Sequence, residues 1–224
     1  MLRVEFHCHT VCSADSLVSP RSLVEACKRK NIDRVIVTDH NQIQGALEAR
    51  ELDPQRVIVG EEIRTTQGEL LAAYVKERIP RGLHPAVAIR QLREQGALIS
   101  VSHPFDPRRG WKLEDLLEIF PLVDAIEIYN SRCSSEQPNQ EAEAFARQHH
   151  LLGTAGSDAH SILELGRSTL RLPEFSNAAE LKTALRAAVP ETKLSGQWVH
   201  FLSSYARLKK AMVPRRQAAP GEDC

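Results

Sequence analysis

Short apolar runs rich in valine and isoleucine alternate with helical patterns along most of this chain. The runs with the length and composition of strands are Leu2–Phe6, Arg34–Thr38, Val57–Val59, Leu70–Val75, Ala97–Val101, Ala125–Tyr129 and Leu151–Thr154. Because strands that alternate with helices form βαβ units, this order predicts a largely parallel sheet flanked by helices. The number of strands and the lack of a glycine-rich dinucleotide-binding pattern favour an α/β barrel over an open, doubly wound sheet.

Composition narrows the class of protein. The 224 residues fit one sizeable domain, and 42% hydrophobic with 26% charged residues is ordinary for a globular protein. Lysine plus arginine and aspartate plus glutamate both number 29, so the formal net charge is zero. This balance argues against a nucleic-acid coat protein, and we expect no stable binding of duplex DNA. With no signal-peptide pattern and no apolar run near ~20 residues, we expect a cytoplasmic protein without membrane contact.

Two regions of the chain differ in character. Residues 1–190 carry the alternation of strands and helices and are predicted to form the barrel domain. After Pro190, the segment Gly196–Met212 predicts one further helix, which we expect to pack on the outside of the barrel. The remaining residues are rich in proline, arginine and glycine and are expected to fray. Residues 191–224 are therefore predicted to be a helical extension with a frayed tail.

Histidines and carboxylates lie where several of the predicted strands end. His7 and His9 close the first strand, and they point to one side because side chains alternate along an extended chain. The same residue types follow later strands: Asp39, His40, Glu62, His103, Asp158 and His160. Borderline-hard divalent metals bind imidazole nitrogen and carboxylate oxygen together. Since the carboxyl ends of barrel strands meet in one mouth, the sequence predicts a metal centre of several ions there.

The pair of histidines at the first strand is weak evidence by itself. Nine histidines in this chain give ~0.36 His-x-His pairs by chance. The ligand-type residues at the other strand ends strengthen the interpretation. The remaining histidines do not directly follow a predicted strand, and we expect these to be surface or structural residues: His84, His149, His150 and His200.

Five short motifs occur in a fixed order, which is HCHT, TDHN, GEE, SHP and GSDAH. In this order they resemble the polymerase and histidinol phosphatase (PHP) family of metal-dependent phosphoesterases. The resemblance runs from His7 to about Gly166. It implies a distorted (β/α)7 TIM-like barrel, with two or three divalent ions (manganese, zinc or iron) at the carboxyl ends of the strands. Residues 1–190 would then be the catalytic domain.

The resemblance also implies a ligand set for each ion. The first ion is held by His7, His9, Glu62 and Asp158. Glu62 bridges to a second ion that also uses His103, and the third ion is held by Asp15, His40 and His160. Many relatives supply another histidine to the second ion from the strand after the bridging glutamate, and this chain has none there. Glu69 is the nearest replacement ligand, with a solvated turn carboxylate as the equal alternative.

Other residues near the predicted mouth have candidate roles in binding and catalysis. The candidate catalytic residues, which would orient a ligand or protonate the leaving group, are Asp39, His40 and His160. A guanidinium group matches phosphate oxygens with two hydrogen bonds. The candidates for binding substrate phosphate are accordingly Arg108, Arg109 and Arg132.

The predicted reaction is metal-assisted hydrolysis, in which a water of lowered pKa attacks phosphorus. Neutral charge and compact size favour a small phosphate ester, a nucleotide or the end of a short oligonucleotide as substrate. Two alternatives stay open. An amidohydrolase-type metal hydrolase also begins with His-x-His, although TDHN and GSDAH fit that plan poorly. A non-catalytic metal-binding module is expected to lose ligands, and this chain keeps nearly all of them.

Overall fold

The computed structural model describes residues 1–212, which form nine strands and seven α-helices. The strands are β1 (Leu2–Cys8), β2 (Arg34–Val37), β3 (Val57–Arg64), β4 (Glu69–Ala73), β5 (Leu98–Val101), β6 (Ala125–Asn130), β7 (Leu152–Gly156), β8 (Thr169–Leu172) and β9 (Val189–Glu191). The helices are α1 (Pro20–Arg29), α2 (Gln44–Leu52), α3 (Pro85–Gln95), α4 (Leu113–Ile119), α5 (Gln137–Gln148), α6 (Ala178–Ala184) and α7 (Val199–Met212). Each predicted strand overlaps one of β1 to β7, whereas β8 and β9 are not expected from the sequence.

Local sequence sets the ends of the helices. Ser19 precedes α1, where its side-chain oxygen accepts a hydrogen bond from the Ser22 amide at 3.1 Å, and Pro20 is the first helical residue. Gly96 ends α3 in the left-handed conformation, at a φ of 77°, which a residue without a side chain adopts at little cost. Both ends therefore follow from residue types that cap helices.

The sheet has the strand order β7-β6-β5-β4-β3-β2-β1-β8-β9. Neighbours are parallel from β1 to β3 and from β5 to β7, but β4 is antiparallel to both of its neighbours and β8 is antiparallel to β1. The expected parallel order is interrupted at β4 because only residues 65–68 connect it to β3, and a parallel crossover needs a dozen or more. The reversal places Glu69, the first residue of β4, at the same end of the barrel as the carboxyl ends of the parallel strands.

The barrel closes between β7 and β1. Cys8 and Ala159 form an isolated bridge between the two edges. The His9 amide donates to the Ala159 carbonyl at 2.8 Å, and the Ala159 amide donates to the His7 carbonyl at 3.3 Å. Gly156 permits this approach, because a Cβ there would lie 2.3 Å from the Cβ of His7. The result is the predicted distorted α/β barrel, nearly closed, with β8 and β9 extending the sheet beyond β1.

Apolar side chains fill the barrel beneath its mouth. Ile58 and Leu98 belong to one buried cluster with Leu181 and Leu185, so α6 and the turn after it close the end opposite the mouth. A larger buried cluster packs the other helices against the outside of the strands. Since apolar burial stabilises by roughly 25 cal/mol per Å², these two layers hold the strand ends in fixed positions.

Helix α7 lies across the mouth of the barrel. The Arg207 guanidinium donates to the Asp15 carboxylate at 2.7 Å, and the Lys210 ammonium donates to the carbonyls of Val11 and Ser13. The expectation that this helix packs on the outside of the barrel is therefore wrong. Its charged side chains instead bind the loop that follows β1, which itself carries a predicted metal ligand.

Three further predictions concern the chain beyond the barrel and the membrane. The segment that we expect to fray, residues 213–224, lies outside the described residues. The division of the chain at residue 190 stays a prediction. Within residues 1–212, no helix combines the length and the apolar composition needed to cross a membrane.

Candidate metal centre

Ligand-type side chains converge where β1, β3 and β7 end. The Nε2 atoms of His7 and His9 lie 3.3 and 3.5 Å from Oε2 of Glu62. The same two nitrogen atoms lie 3.5 and 3.2 Å from Oδ1 of Asp158. All four side chains are fully buried. They are the set that the resemblance implies for the first ion, and we call them the first group.

A second group brings β4 and β5 to the same glutamate. His103 Nε2 lies 3.1 Å from Oε1 of Glu62 and 3.3 Å from Oε2 of Glu69. His103 has a φ of 25°, an uncommon value for a residue with a side chain. The reversed direction of β4 thus brings Glu69 beside His103, and its role as a replacement ligand stays a prediction.

A third group lies beside the first. Asp15 Oδ1 is 3.3 Å from Nε2 of His160 and 3.7 Å from Nε2 of His40. His40 Nδ1 lies 2.9 Å from Oε2 of Glu62. The ring centroids of His9 and His160 are 4.1 Å apart. Glu62 is therefore in contact with members of all three groups.

The spacing of these atoms fits shared metal ions. Two ligand atoms that are each ~2.1 Å from one ion lie ~3.4 Å apart at a tetrahedral angle, and the first group shows 3.2 to 3.5 Å. Among residues 1–212, three buried atoms that face the groups lie close to other ligand atoms but form no hydrogen bond of acceptable geometry: His7 Nε2, Glu62 Oε2 and Asp15 Oδ1. A buried polar atom without a partner costs about 1–3 kcal/mol. Divalent cations would satisfy all three atoms, so the residues present fit a metal centre.

Ionised carboxylates lie deep in this centre. Burial alone would raise the pKa of Glu62 and of Asp158, but nearby histidines, and Arg109 in the case of Asp158, hold both pKa values well below the usual range. Burial and the positive charge of two neighbouring histidines lower the pKa of His9 to about 4. The charged carboxylates and the neutral His9 are thus in the forms that bind metal. Although burial opposes the charged form, neighbouring carboxylates raise the pKa of the other rings, so an ion would displace a proton from each of His7, His40 and His103.

Glu127, at β6, supports the first two groups from behind. Its Oε1 lies 2.9 Å from His7 Nδ1, and its Oε2 accepts from the His103 amide at 2.8 Å. The Asn130 amide group donates to Glu127 at 3.0 Å and to Asp158 at 3.2 Å. Because Nδ1 of His7 faces a carboxylate, Nε2 is left to face the ion site.

Asp39 lies behind His9 and not in the mouth. Its two oxygens accept from the hydroxyls of Thr10 at 2.5 Å and Ser13 at 2.6 Å. The Ser13 hydroxyl in turn lies 3.2 Å from Nδ1 of His9. The other two residues predicted to be catalytic line the open cavity. The structure therefore separates Asp39 from them and places it behind the ring of His9, which it reaches through Ser13.

The arginines predicted to bind phosphate occupy three different environments. Arg108 is exposed and lines the cavity. Arg109 also lines the cavity, but its guanidinium donates to Asp158 at 2.7 Å and lies 3.4 Å from Asp106. Of these two arginines, Arg108 can thus contact a substrate without first breaking an ion pair with a carboxylate.

Arg132 is buried, and protein groups occupy its guanidinium. Its Nη1 lies 2.6 Å from His160 Nδ1, and its Nη2 donates to the Ser203 hydroxyl at 2.6 Å. Its Nε is 3.3 Å from Glu164. Arg132 therefore joins the third group to α7, and its binding of substrate phosphate stays a prediction.

The mouth opens into a cavity of about 1190 Å³. Among the described residues, arginines but no lysines line it: Arg64, Arg78, Arg81, Arg108, Arg109, Arg132 and Arg207. The arginines at the end of β3, in the loop before α3 and on α7 were not expected, since only the fold brings these distant segments together. A chain of zero net charge thus concentrates positive charge around one opening.

The histidines that the sequence predicts to be surface or structural residues lie in different environments. His84 caps α3, where its Nδ1 accepts from the Ala86 amide at 3.3 Å. His149 packs on the ring of Phe145 at 4.2 Å between centroids. His200, on α7, is half-buried and lines the cavity, and its interpretation as a surface or structural residue stays a prediction.

A nearly closed α/β barrel with clustered imidazole and carboxylate ligands in its mouth defines a metal-dependent hydrolase. The chain belongs to the PHP domain family: the PHP domain matches residues 5–95, and the PHP-associated family matches residues 136–190. An uncharacterized protein of Methanocaldococcus jannaschii is 36% identical over an alignment of 181 residues, which covers 78% of this chain and 72% of that protein.

Solved structures with the same fold share less of the sequence. A candidate metal-dependent phosphoesterase from Bifidobacterium adolescentis has a TM-score of 0.61 at 19% identity, covering 83% of this chain and 96% of its own. An amidohydrolase from Chromobacterium violaceum has a TM-score of 0.63 at 13% identity, with coverage of 83% and 97%. A lesion-specific endonuclease from Pyrococcus furiosus has a TM-score of 0.63 at 17% identity, with coverage of 83% and 56%.

Proposed function

We propose that this protein is a phosphoesterase that uses two or three divalent ions (manganese, zinc or iron) to hydrolyse phosphate esters. The observation that carries the proposal is Glu62, a buried carboxylate in contact with all three ligand groups. A carboxylate between neighbouring ion sites supports the paired-ion clamp that stabilises both the attacking and the leaving oxygen in phosphoryl displacement.

Bound divalent ions supply a water of lowered pKa and offset charge on the phosphate oxygens. Around them, the chain holds and orients the reacting groups. Glu127 and Asp39 fix the ligand rings from behind, the first directly and the second through Ser13. His40 and His160 line the cavity, and we assign to one of them the proton that the leaving oxygen takes up.

The arginines around the mouth support an anionic substrate. Of the three arginines predicted to bind phosphate, we assign this role first to Arg108. Arg109 takes part when the substrate displaces the carboxylates that Arg109 contacts. An uncharged amide would gain nothing from this surface, whereas phosphate accepts paired hydrogen bonds from guanidinium. We therefore propose a small phosphate ester, a nucleotide or the end of a short oligonucleotide as the substrate. An endonuclease shares the fold, which supports a phosphodiester among the candidate substrates.

The experiment is a metal-reconstitution assay on the full chain. The protein is stripped with a chelator, reloaded separately with Mn²⁺, Zn²⁺ or Fe²⁺, and assayed against phosphate monoesters, phosphodiesters, short RNA and carboxamides. Glu62→Gln should lower phosphoesterase activity by at least ~100-fold. Glu118→Gln, an exposed change on α4, serves as the matched control and should retain activity.

Two results would contradict the proposal. Hydrolysis of carboxamides with no hydrolysis of any phosphate ester would favour an amidohydrolase. A protein that retains no divalent metal and cleaves nothing would favour a non-catalytic module.

A further inference from the structure

Helix α7 has two opposed faces. Val199, Ser203 and Ala206 are buried against the barrel. The opposite face carries Phe201 (76%), Tyr205 (58%), Leu208 (60%) and Met212 (74%), and Trp198 (48%) lies in the turn just before the helix; we call these five exposed residues the apolar stripe. Among the described residues, the next largest set of exposed apolar side chains on one helix is the pair Leu113 and Leu117 on α4. Large apolar patches on a monomer commonly mark interaction surfaces.

Contacts with the mouth fix the orientation of α7. Arg207 donates to Asp15, and Ser203 accepts from Arg132. Lys210 donates to main-chain carbonyls of the loop after β1. Turning the apolar stripe inward would break these contacts and expose the buried face of the helix. The stripe therefore stays at the surface of the isolated chain.

The spacing of the stripe is that of a two-stranded helix seam. Its members follow one another at intervals of three, four, three and four residues, which is the a/d pattern of a coiled coil over two heptads. Such a seam is self-complementary, because the knobs of one helix fit the holes of an identical helix. The residue type at each position is large and apolar, with no charge inside the seam.

We propose that the apolar stripe is the docking surface for a second copy of this chain, which packs its own α7 antiparallel across a two-fold axis. Lys209, an exposed basic residue near the carboxyl end of the helix, favours this direction, whereas Arg207 and Lys210 are engaged with the barrel. A parallel pair would bring the two copies of Lys209 to the same end, whereas an antiparallel pair places them at opposite ends.

The exposed area is sufficient for a stable pair. Aromatic side chains offer ~150–250 Å² each, so at the observed exposures the stripe presents on the order of 500–600 Å² per copy, or roughly 1,000–1,200 Å² in a dimer. A specific interface needs about 1,000 Å². Residues 213–224 contain no aromatic residue, and Val213 is their one large aliphatic residue. This segment therefore lacks the apolar side chains needed to cover the stripe in place of a second copy.

Sedimentation velocity on the full chain, from ~1 to ~100 µM, tests the proposal. The parent should dimerise, and Phe201→Glu with Leu208→Glu should raise the dissociation constant at least ~10-fold. The matched control is Leu113→Glu with Leu163→Glu, two leucines of similar exposure (57% and 66%) on other faces, which should leave dimerisation unchanged.

A neutral pair of changes separates loss of docking from loss of the helix. Phe201→Gln with Leu208→Gln keeps good helix formers at both positions, so far-UV circular dichroism should match the parent while dimerisation weakens. The proposal is overturned by a parent that stays monomeric across the range. It is overturned equally by stripe variants that dimerise like the parent, or by control variants that lose the dimer as well.

Discussion

At the scale of single residues, Glu62 has the most contacts with other candidate ligands. Its two oxygens lie within 3.5 Å of His7, His9, His40 and His103. A carboxylate with four imidazole neighbours is costly to bury unless cations complete the charge balance. Metal affinity also depends on the residues behind the ligands, because these residues orient a ligand's ring or carboxylate.

Glu127→Gln tests that supporting role. The amide can still accept from the His103 main chain, but it no longer gives His7 Nδ1 a charged acceptor. We expect a 10- to 100-fold loss of metal affinity, on the order of other residues that support a ligand from behind. Competition with a fluorescent chelator measures it. Glu143→Gln, exposed on α5, is the control, and an equal affinity for the parent and Glu127→Gln would contradict the role.

Glu69→Gln tests the second group alone. Glu69 contacts His103 but none of the first-group ligands in the described contacts, so its loss should empty one site while the others stay filled. Metal content by mass spectrometry should fall by about one ion per chain in reconstituted protein. Unchanged stoichiometry would show that Glu69 is the solvated turn carboxylate of the alternative interpretation.

Residue positions near strand ends could be predicted because a barrel collects those ends in one mouth. Contacts between distant segments could not. Arg207 reaches Asp15 across 192 positions, and Asn130 reaches Asp158 across 28, with no local pattern to announce either pair. The proximity of Arg132 to the site was apparent from sequence, but its burial was not, because exposure depends on α7 lying above it.

At the scale of elements, two placements decide the shape of the mouth. The β3–β4 hairpin reverses one strand and delivers Glu69, and α7 crosses the opening. The hairpin follows from the true ends of the two strands, because a connection of four residues has no room for a parallel crossover. The sequence placed the end of β3 at Val59, five residues before Arg64, so the connection to β4 appeared longer than it is.

Arg132→Met tests the connection between the third group and α7. The change leaves the buried Glu164 carboxylate without its guanidinium partner, which costs about 3–5 kcal/mol. For a chain of this size, Tm should fall by on the order of 10 °C. Differential scanning calorimetry measures it. Adding Glu164→Gln removes the unpaired charge and should recover part of the loss, and an unchanged Tm in Arg132→Met would contradict the arrangement.

At the scale of the whole molecule, buried carboxyl groups link stability to pH. Burial raises the pKa of Glu61 from 4.5 to about 7, and that of Glu5 to about 7 as well. Between pH 4.5 and 7 the folded chain keeps protons that the unfolded chain has released. The unfolding free energy from these groups therefore falls as pH rises through this window and is lowest above pH 7.

Glu61→Gln removes one of these groups while its side-chain oxygen can still accept from the Ile79 amide. In metal-free protein, the variant should be more stable than the parent at pH 8 by up to about 3 kcal/mol, and the two should converge below pH 4.5. Urea denaturation at both pH values measures the difference. Glu94→Gln, exposed on α3, should show no such dependence. A variant that is less stable than the parent at pH 8 would reverse the predicted sign.

The most direct test of the central claim is crystallography of the chain reconstituted with Mn²⁺, with anomalous difference maps recorded at a wavelength where manganese scatters anomalously. We expect an anomalous peak in the first group, among His7, His9, Glu62 and Asp158. At least one further peak should lie in the second or the third group. Each ion should lie ~2.0–2.2 Å from its ligand atoms. Maps without a peak at the first group, in protein that has been exposed to saturating metal, would contradict it.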